Sequence, residues 1–486
     1  MVQSIIEAVA LNAEKNPDKL CAADVRYELT YRQFWEYVYG YSNHLKDEGI
    51  KKGDYIVVRN TQNVVQLITG LAITLAGAIY VPIEKNVADS RILEIINEVS
   101  AKYYIAAKKT EVPCTFERIT EVMKYKDEKA DYKLVTFPSS EDIAEILFTT
   151  GTTGKSKGIV LSHKNVVAVA GNVIDGVEMK KDNVEMIPSP LSHSHGLRRF
   201  YANMLNGSSV VIIGSIVLMQ NFYECMEKYR VTALDLVPAA LSSIFKLSED
   251  QLGDYKDQID YVQLGSAPIP EADRDRLRRL LPNSRIYNFY GTTESGCSCI
   301  LDVSKYPNKK RCIGKPTCNS NFVFINESGE LMCPTKEKPG YLACAGDMNM
   351  LGYYHDNELT NSIMKNGYIK TEDLAYVDED GFICLLGRKS DVIVIGGNKV
   401  SPSEVEDVAN MYDGIEECAC VPVDSDILGK EPKLFVVLKD GFKFNKDDIY
   451  QFLKGKLEKY KVPKIIVEIE KLPRSFNGKI LRRELI

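Results

Sequence analysis

Apolar positions along this chain alternate between helical spacing and short β-branched runs, with no repeat and no low-complexity segment between them. The opening residues, MVQSIIEAVALNAEKNPDK, read as an amphipathic helix. They lack the basic start and unbroken apolar core of a secretory signal, so the mature chain is expected to begin at or near Met1. Residues 64–83 (VVQLITGLAITLAGAIYVPI) are twenty mostly apolar positions, the nominal length of a membrane span. Gln66, Thr69, Gly70, Thr74 and Gly77 interrupt them, and Ala76-Gly77-Ala78 before Ile79-Tyr80-Val81-Pro82 predicts a helix that stops and a buried strand that begins.

Strands are expected at Val210 to Ile213, Ile286 to Phe289 and Val392 to Ile395, and a helix over Leu197 to Leu205, the pattern of an α/β architecture. In YVDEDGFICLLG (376–387), two apolar runs flank Asp378-Glu379-Asp380-Gly381, which predicts a β-ribbon just before Arg388. The segment after Arg388-Lys389-Ser390-Asp391 has its own strand and helix pattern and is long enough for a small domain. The expected division is 1–388 and 389–486, a large α/β N-terminal domain of several subdomains followed by a small α+β domain.

Length and composition narrow the partners. A chain of 486 residues exceeds one compact core, and 45% hydrophobic with 26% charged residues is ordinary for a globular protein. Lys plus Arg number 61 against 67 Asp plus Glu, so the net charge of −6 gives no footprint for nucleic acid or an anionic membrane. The twelve cysteines form no C-x-x-C pair, which argues against a disulfide framework and a zinc site and favours a reducing cytoplasm. Cys297 with Cys299, and Cys418 with Cys420, read as small buried residues rather than metal ligands.

The densest chemical signal is ILFTTGTTGKSKGIVLSH (146–163). A strand runs into Thr149, Thr150, Gly151, Thr152, Thr153, Gly154, Lys155, Ser156, Lys157 and Gly158, and a second strand follows. Glycines admit a close backbone, amides and hydroxyls donate to oxygens, and lysines neutralise charge: this is a phosphate cradle, with a triphosphate as its guest. Gly154-Lys155-Ser156 ends like a Walker loop, but Thr149 stands where that loop needs its first glycine, and Ile159-Val160-Leu161 predicts a strand where it needs a helix.

Further blocks follow in order: SPLSHSHGL (189–197), Gly265-Ser266-Ala267-Pro268, NFYGTTE (288–294), MLGYY (350–354) with YIKTED (368–373), Gly387-Arg388 with Gly396-Gly397, and PRSFNGKILRR (473–483). With the cradle they resemble the adenylate-forming superfamily of acyl-CoA synthetases, adenylation domains and luciferase. The resemblance implies activation of a carboxylic acid by ATP and Mg²⁺ to an acyl-adenylate with release of pyrophosphate, then transfer to a thiol. Under it, Thr149, Thr150, Gly151, Thr152, Thr153, Gly154 and Lys157 hold the β and γ phosphates. Thr293 holds the α-phosphate, and Glu294, with Thr150 near it, anchors the metal. Gly265, Ser266, Ala267, Pro268, Asn288, Phe289, Tyr290, Gly291 and Thr292 surround the adenine, with Tyr290 stacking on it. Asp373 accepts from the ribose hydroxyls with support from Arg388. His193 gates the acyl and thiol channels, Gly396 and Gly397 line the thiol path, and Lys479 bridges the carboxylate and the α-phosphate. Because Lys479 and the thiol loop share the small domain, two orientations of that domain are implied. Ser390 stands where relatives carry the hinge Asp or Lys, Ser156 where they carry Pro, Thr150 where they carry Ser, and Glu372 replaces a Gly.

For the acid, residues 192–195 (SHSH) hold no carboxylate of the kind that reads a substrate ammonium, which disfavours an amino acid. Arg198 or Arg199 either reads a second acidic or hydroxyl group on the substrate or lies on a solvated helix face. His195 is expected to pack or cap a helix, and Phe289 to fill part of the acyl tunnel, which favours a compact acid. Lys454, Lys456, Lys459, Lys461 and Lys464 read as a solvated basic helix or as a surface for coenzyme A phosphates or an acidic carrier protein. Coenzyme A is favoured as the acceptor. Loading of a carrier-protein phosphopantetheine and a non-catalytic ATP-binding regulator are the alternatives.

Overall fold

A computed structural model describes residues 2–150, 156–214, 216, 218–395, 398–425, 429–474 and 480–486. Helix Ile5–Lys15 begins where the Ser4 hydroxyl accepts from the Glu7 amide. Helix Tyr31–Asp47 begins at a reciprocal Thr30–Gln33 cap. The apolar run at 64–83 divides as its interruptions predict. Helix Val64–Leu75 is buried on every side, Gly77 turns the chain with φ +83°, and the buried strand Ile79–Ile83 follows. Among the described residues no helix is long and apolar enough to cross a membrane.

Ile79–Ile83 lies parallel to Tyr55–Arg59 and to Ile143–Thr150, in a sheet whose other side continues antiparallel into Ser156–Ser162 and then Gly352–Tyr353. A longer sheet has the parallel run Ser209–Ile212, Val184–Ile187, Ala233–Leu236, Tyr261–Leu264 and Arg285–Thr292. It then turns antiparallel through Gly296–Asp302 and reaches the hairpin Tyr368–Val377 with Ile383–Arg388. The Asp378 carboxylate accepts from the Asp380 and Phe382 amides and closes that hairpin, as the Asp-Glu-Asp-Gly signal predicts. A third sheet joins Asn398–Val400, Ile393–Ile395, Gly429–Leu438, Ile415–Ser425 and Ile465–Glu468 over a core of its own that includes Val405, Ile449 and Leu453. Arg311 reaches from the large part to Asp407 (3.0 Å) and Glu404 (3.5 Å) beside this core. The whole is mixed α/β, large at the N-terminal side and small at the C-terminal side, as expected.

Three expectations change. Cys312 and Cys384 face each other across adjacent strands and form a disulfide; a sequence separation of 72 hides a pairing that only strand register creates. The other ten cysteines are free, with Cys297, Cys299, Cys418 and Cys420 buried as expected. The basic stretch is not one solvated helix. Helix Lys446–Lys454 stops at Gly455, and Lys461 is buried against Glu404 and Glu458 at 2.9 Å each. Finally, neither Arg198 nor Arg199 lies on a solvated face of helix Ser194–Asn206, since both are buried. The Arg199 Nε donates to the fully buried Glu185 at 2.7 Å, its fork also reaches the Tyr261 hydroxyl, and this pair docks the helix on the sheet.

The same helix is tied to the phosphate-loop strand. The Tyr201 hydroxyl donates to Glu145 at 2.6 Å on strand Ile143–Thr150. Burial pushes the Glu145 carboxyl from 4.5 up to about 7. The folded chain therefore retains a proton that the unfolded chain has already released, and stability falls as pH rises from about 4.5 through about 7. Glu145→Gln removes this dependence. In urea unfolding at pH 5 and pH 8, the variant should gain on the parent by about 2.5 kcal/mol between the two pH values. An equal gap at both pH values would show that Glu145 is not buried in its neutral form.

Candidate active site

Ligands of open α/β sheets sit beyond the carboxyl ends of parallel strands, where adjacent loops part. Most of the stretches singled out in the sequence meet one another in this region. Thr149 and Lys157 are register partners at the mouth of the phosphate hairpin, next to the pair Thr150 and Ser156. Gly151, Thr152, Thr153 and Gly154 lie outside the described residues, as do Gly396, Gly397 and Lys479. A strand follows the loop, so the Walker alternative fails on the ground the sequence supplied.

Strand Gly352–Tyr353 joins this hairpin to the Thr293–Glu294 turn. Tyr353 pairs with Ile159, and its hydroxyl donates to Glu294 Oε1 at 2.8 Å. The Met350 amide donates to the Glu294 carbonyl at 2.8 Å. Lys157 Nζ lies 5.3 Å from the centre of the Tyr353 ring. Burial, reinforced by the Glu294 carboxylate, drives the Tyr353 hydroxyl far above its usual range, so it stays a donor. Tyr353 stands inside the MLGYY block, but its role as the link between Lys157 and Glu294 shows only once the strand is paired.

Strand Arg285–Thr292 presents different side chains to its two sides because successive residues alternate. Tyr290 points toward Asp373 and donates its hydroxyl to Asp373 Oδ2. Asp373 opposes Arg388 across the hairpin, with Arg388 Nε 3.7 Å from its other oxygen. The Tyr290 ring is thus anchored by its hydroxyl to the residue expected to hold the ribose. Asn288 Oδ1 is buried without a partner among the described residues, an acceptor suited to the amino group of a purine. Ser266 in the Gly265–Pro268 turn has φ +71°, a conformation that L-residues adopt rarely and that recurs at functional turns. Gly291 leaves no room for a side chain, since a Cβ would lie 1.8 Å from the Gly296 carbonyl oxygen.

On the opposite face, Phe289 is buried against helix His163–Gly176, where a Cβ on Gly176 would lie 2.8 Å from the Phe289 ring. Phe289 therefore leaves the strand on the face opposite Asn288 and Tyr290. Helix Ser194–Asn206 covers this face. Its first residue places Ser194 Oγ 3.2 Å from Thr293 Oγ1, and Arg198 donates to the Thr292 and Thr293 carbonyls at 3.1 and 2.9 Å. Arg198 thus holds the turn expected to meet the α-phosphate, a role that no linear motif displays. His193 Nε2 lies 2.7 Å from Glu84 Oε1 at an angle that forms no hydrogen bond. His195 does not cap the helix, whose N-cap is His193 with no side-chain bond; it packs toward the sheet, pairing with the buried Asp235 at 2.8 Å. At the expected hinge, the Ser390 hydroxyl donates to Asp391 and the Lys389 amide to the Glu372 carbonyl.

The donor set fits a magnesium nucleotide: Lys157 and Thr149 for phosphates, Glu294 for the cation, Asp373 and Asn288 for the nucleoside. A strand with such groups on one face, and with Phe289 packed against a helix on the other, sits in the α/β frame of an enzyme that binds a nucleotide.

The AMP-binding enzyme model matches residues 9–354, and the AMP-binding enzyme C-terminal domain model matches residues 404–479. The chain belongs to this family, the adenylate-forming superfamily. It is 28% identical over 478 residues to a 2-succinylbenzoate–CoA ligase of Bacillus mycoides, covering 96% of this chain and 95% of the relative. It is 27% identical over 485 residues to a probable CoA ligase of Humulus lupulus, covering 94% and 88%. The fold superposes with a TM-score of 0.86 on the o-succinylbenzoate CoA synthetase of Bacillus subtilis in complex with its acyl-adenylate intermediate, at 21% identity over 99% and 97% of the chains.

Proposed function

We propose that this protein is an AMP-forming acid–thiol ligase: it joins a compact carboxylic acid to the α-phosphate of ATP, releases pyrophosphate, and passes the acyl group to coenzyme A. The observation that carries the reading is the Lys157–Tyr353–Glu294 line, which sets a phosphate-facing cation beside a tyrosine-held carboxylate. The carboxylate of the acid is already a nucleophile, so the site has to supply positive charge and aligned donors more than a base. When bound, Mg²⁺ would neutralise phosphate oxygens, with Glu294 as its protein anchor. Thr293 meets the α-phosphate, Thr149 and Lys157 the outer phosphates, Asp373 the ribose, and His193 stands between the acyl and thiol paths.

The domain division belongs to this proposal and falls at 388/389, just after the Asp373–Arg388 pair. The small domain swings about Lys389–Asp391, bringing Lys479 for the first step and Gly396-Gly397 for the second. A cytoplasmic location fits the ten cysteines that remain free thiols.

The test is acid-dependent pyrophosphate release from ATP and Mg²⁺ over a panel of acids, with the thioester product scored once with coenzyme A and once with a phosphopantetheinylated carrier protein. Acyl-CoA formation is expected. A thioester formed only on the carrier would replace the acceptor, and nucleotide binding with no pyrophosphate release for any acid would leave a regulator rather than an enzyme.

A further inference from the structure

The carboxylate that residues 192–195 lack is supplied from elsewhere in the fold. Asp235, at the carboxyl end of strand Ala233–Leu236, is fully buried beneath the first turn of helix Ser194–Asn206, and its Oδ1 lies 2.8 Å from His195 Nε2. Its Oδ2 is buried with no hydrogen-bond partner among the described residues. Gln263 is its register partner on the next strand, so both side chains leave the sheet on one face, and Gln263 Oε1 is likewise buried and unpartnered. Gly265 keeps the space beside them open, since a Cβ there would come 2.9 Å from His195 Cε1 and 3.3 Å from Gln263 Nε2.

We propose that His195, backed by Asp235 and Gln263, reads a hydrogen-bond donor at the far end of the acid, so that the substrate is a compact acid carrying an amino or hydroxyl group in addition to its carboxylate. The proposal rests on the ligase reading above. The helical turn that sets Ser194 against Thr293 also carries His195, so one turn connects the expected α-phosphate residue with this polar end. With Nε2–H donating to the Asp235 carboxylate, the remaining ring nitrogen, Nδ1, is an acceptor. The two unpartnered atoms behind it are acceptors as well.

The charges point the same way. Glu185 and Asp235 are both fully buried carboxylates in this region, and Arg199 is the one buried guanidinium that pairs with them, through Glu185. Arg198 is committed to the Thr292 and Thr293 carbonyls. Asp235 has no arginine among its hydrogen-bond or ion-pair partners in the described residues, where its only ion-pair partner is His195, and its Oδ2 stays without a donor. An ammonium, amine or hydroxyl answers that acceptor; an acceptor-only group meets acceptors. Reading of a donor by buried acceptors is also the kind of recognition that discriminates strongly against the analogue lacking it.

The experiment compares acids of matched size by kcat/KM for pyrophosphate release. Benzoate is set against its amino and hydroxy derivatives, butanoate against 4-aminobutanoate and 4-hydroxybutanoate, and succinate serves as a dicarboxylate. At least one amino or hydroxy acid should exceed its parent by about tenfold or more, with the two series separating amine from hydroxyl. His195→Leu should bring that ratio toward one whatever its absolute rate. Asp235→Asn, near-isosteric and able to donate to Nε2, should shift the His195 proton to Nδ1 and move preference away from donor-bearing acids. Parents or succinate used as well as the substituted acids, or a ratio unchanged in both variants, would overturn the proposal while leaving the ligase reading intact. Pyrophosphate release with none of these acids, nor with any wider panel, would remove that reading and this inference with it.

Discussion

Glu294→Gln is expected to lower kcat/KM for acid-dependent pyrophosphate release by about a hundredfold or more, because it removes the carboxylate charge proposed to anchor the cation while keeping the side-chain shape. The carboxylate is positioned rather than loose. Its Oε1 takes the Tyr353 hydroxyl at 2.8 Å, and its carbonyl takes the Met350 amide at 2.8 Å. Tyr353→Phe should therefore cost less, about ten- to a hundredfold, since the charge remains and only its orientation is lost. Both losses should shrink as Mg²⁺ is raised, and a Mg²⁺ titration of initial rates at saturating ATP would reveal it. If Glu294→Gln stayed within about threefold of the parent at low Mg²⁺, the cation would have to be held elsewhere.

Lys479→Ala should abolish adenylate formation while leaving ATP binding nearly unchanged. Two anions meet in the first half-reaction, the acid carboxylate and the α-phosphate, and a mobile ammonium placed between them stabilises the transition state more than either ground state. Loss of such a group is expected to cost about a hundred- to a thousandfold. Thiol attack on an already formed acyl-adenylate brings no second carboxylate to the phosphate, so thioester formation from synthetic acyl-AMP should survive. Calorimetric titration with ATP, pyrophosphate release, and thioester formation from acyl-AMP together separate the three. Unchanged pyrophosphate release in Lys479→Ala would refute the role.

Much of the layout was legible along the chain because its causes are local. Capping residues start Ile5–Lys15 and Tyr31–Asp47, Gly77 ends the buried helix at a left-handed turn, and Asp378 closes its hairpin through amides two and four residues on. The phosphate hairpin, NFYGTTE and the Asp373 block are likewise contiguous runs whose residue types state their chemistry. The errors have the opposite character. Arg198 and Arg199 looked like a solvated helix face because helical position alone does not say which neighbour carries Glu185 or the Thr292 carbonyl. Cys312 and Cys384, and Lys461 with Glu404, pair across 72 and 57 positions. Likewise, residues 192–195 hold no carboxylate, and only the fold brings Asp235 to His195 from a strand forty residues on.

By itself, then, the order of residues specified the elements, the family and the reaction, since periodicity, caps and motif chemistry act within a few positions of each other. Strand register and helix docking alone decided which side chains leave each face of Arg285–Thr292, that Tyr353 links Lys157 to Glu294, and that His195 meets Asp235. Those outcomes depend on side chains brought within a few ångströms by the packing of distant segments, because hydrogen bonds form only at about 3 Å and charge contacts weaken with distance.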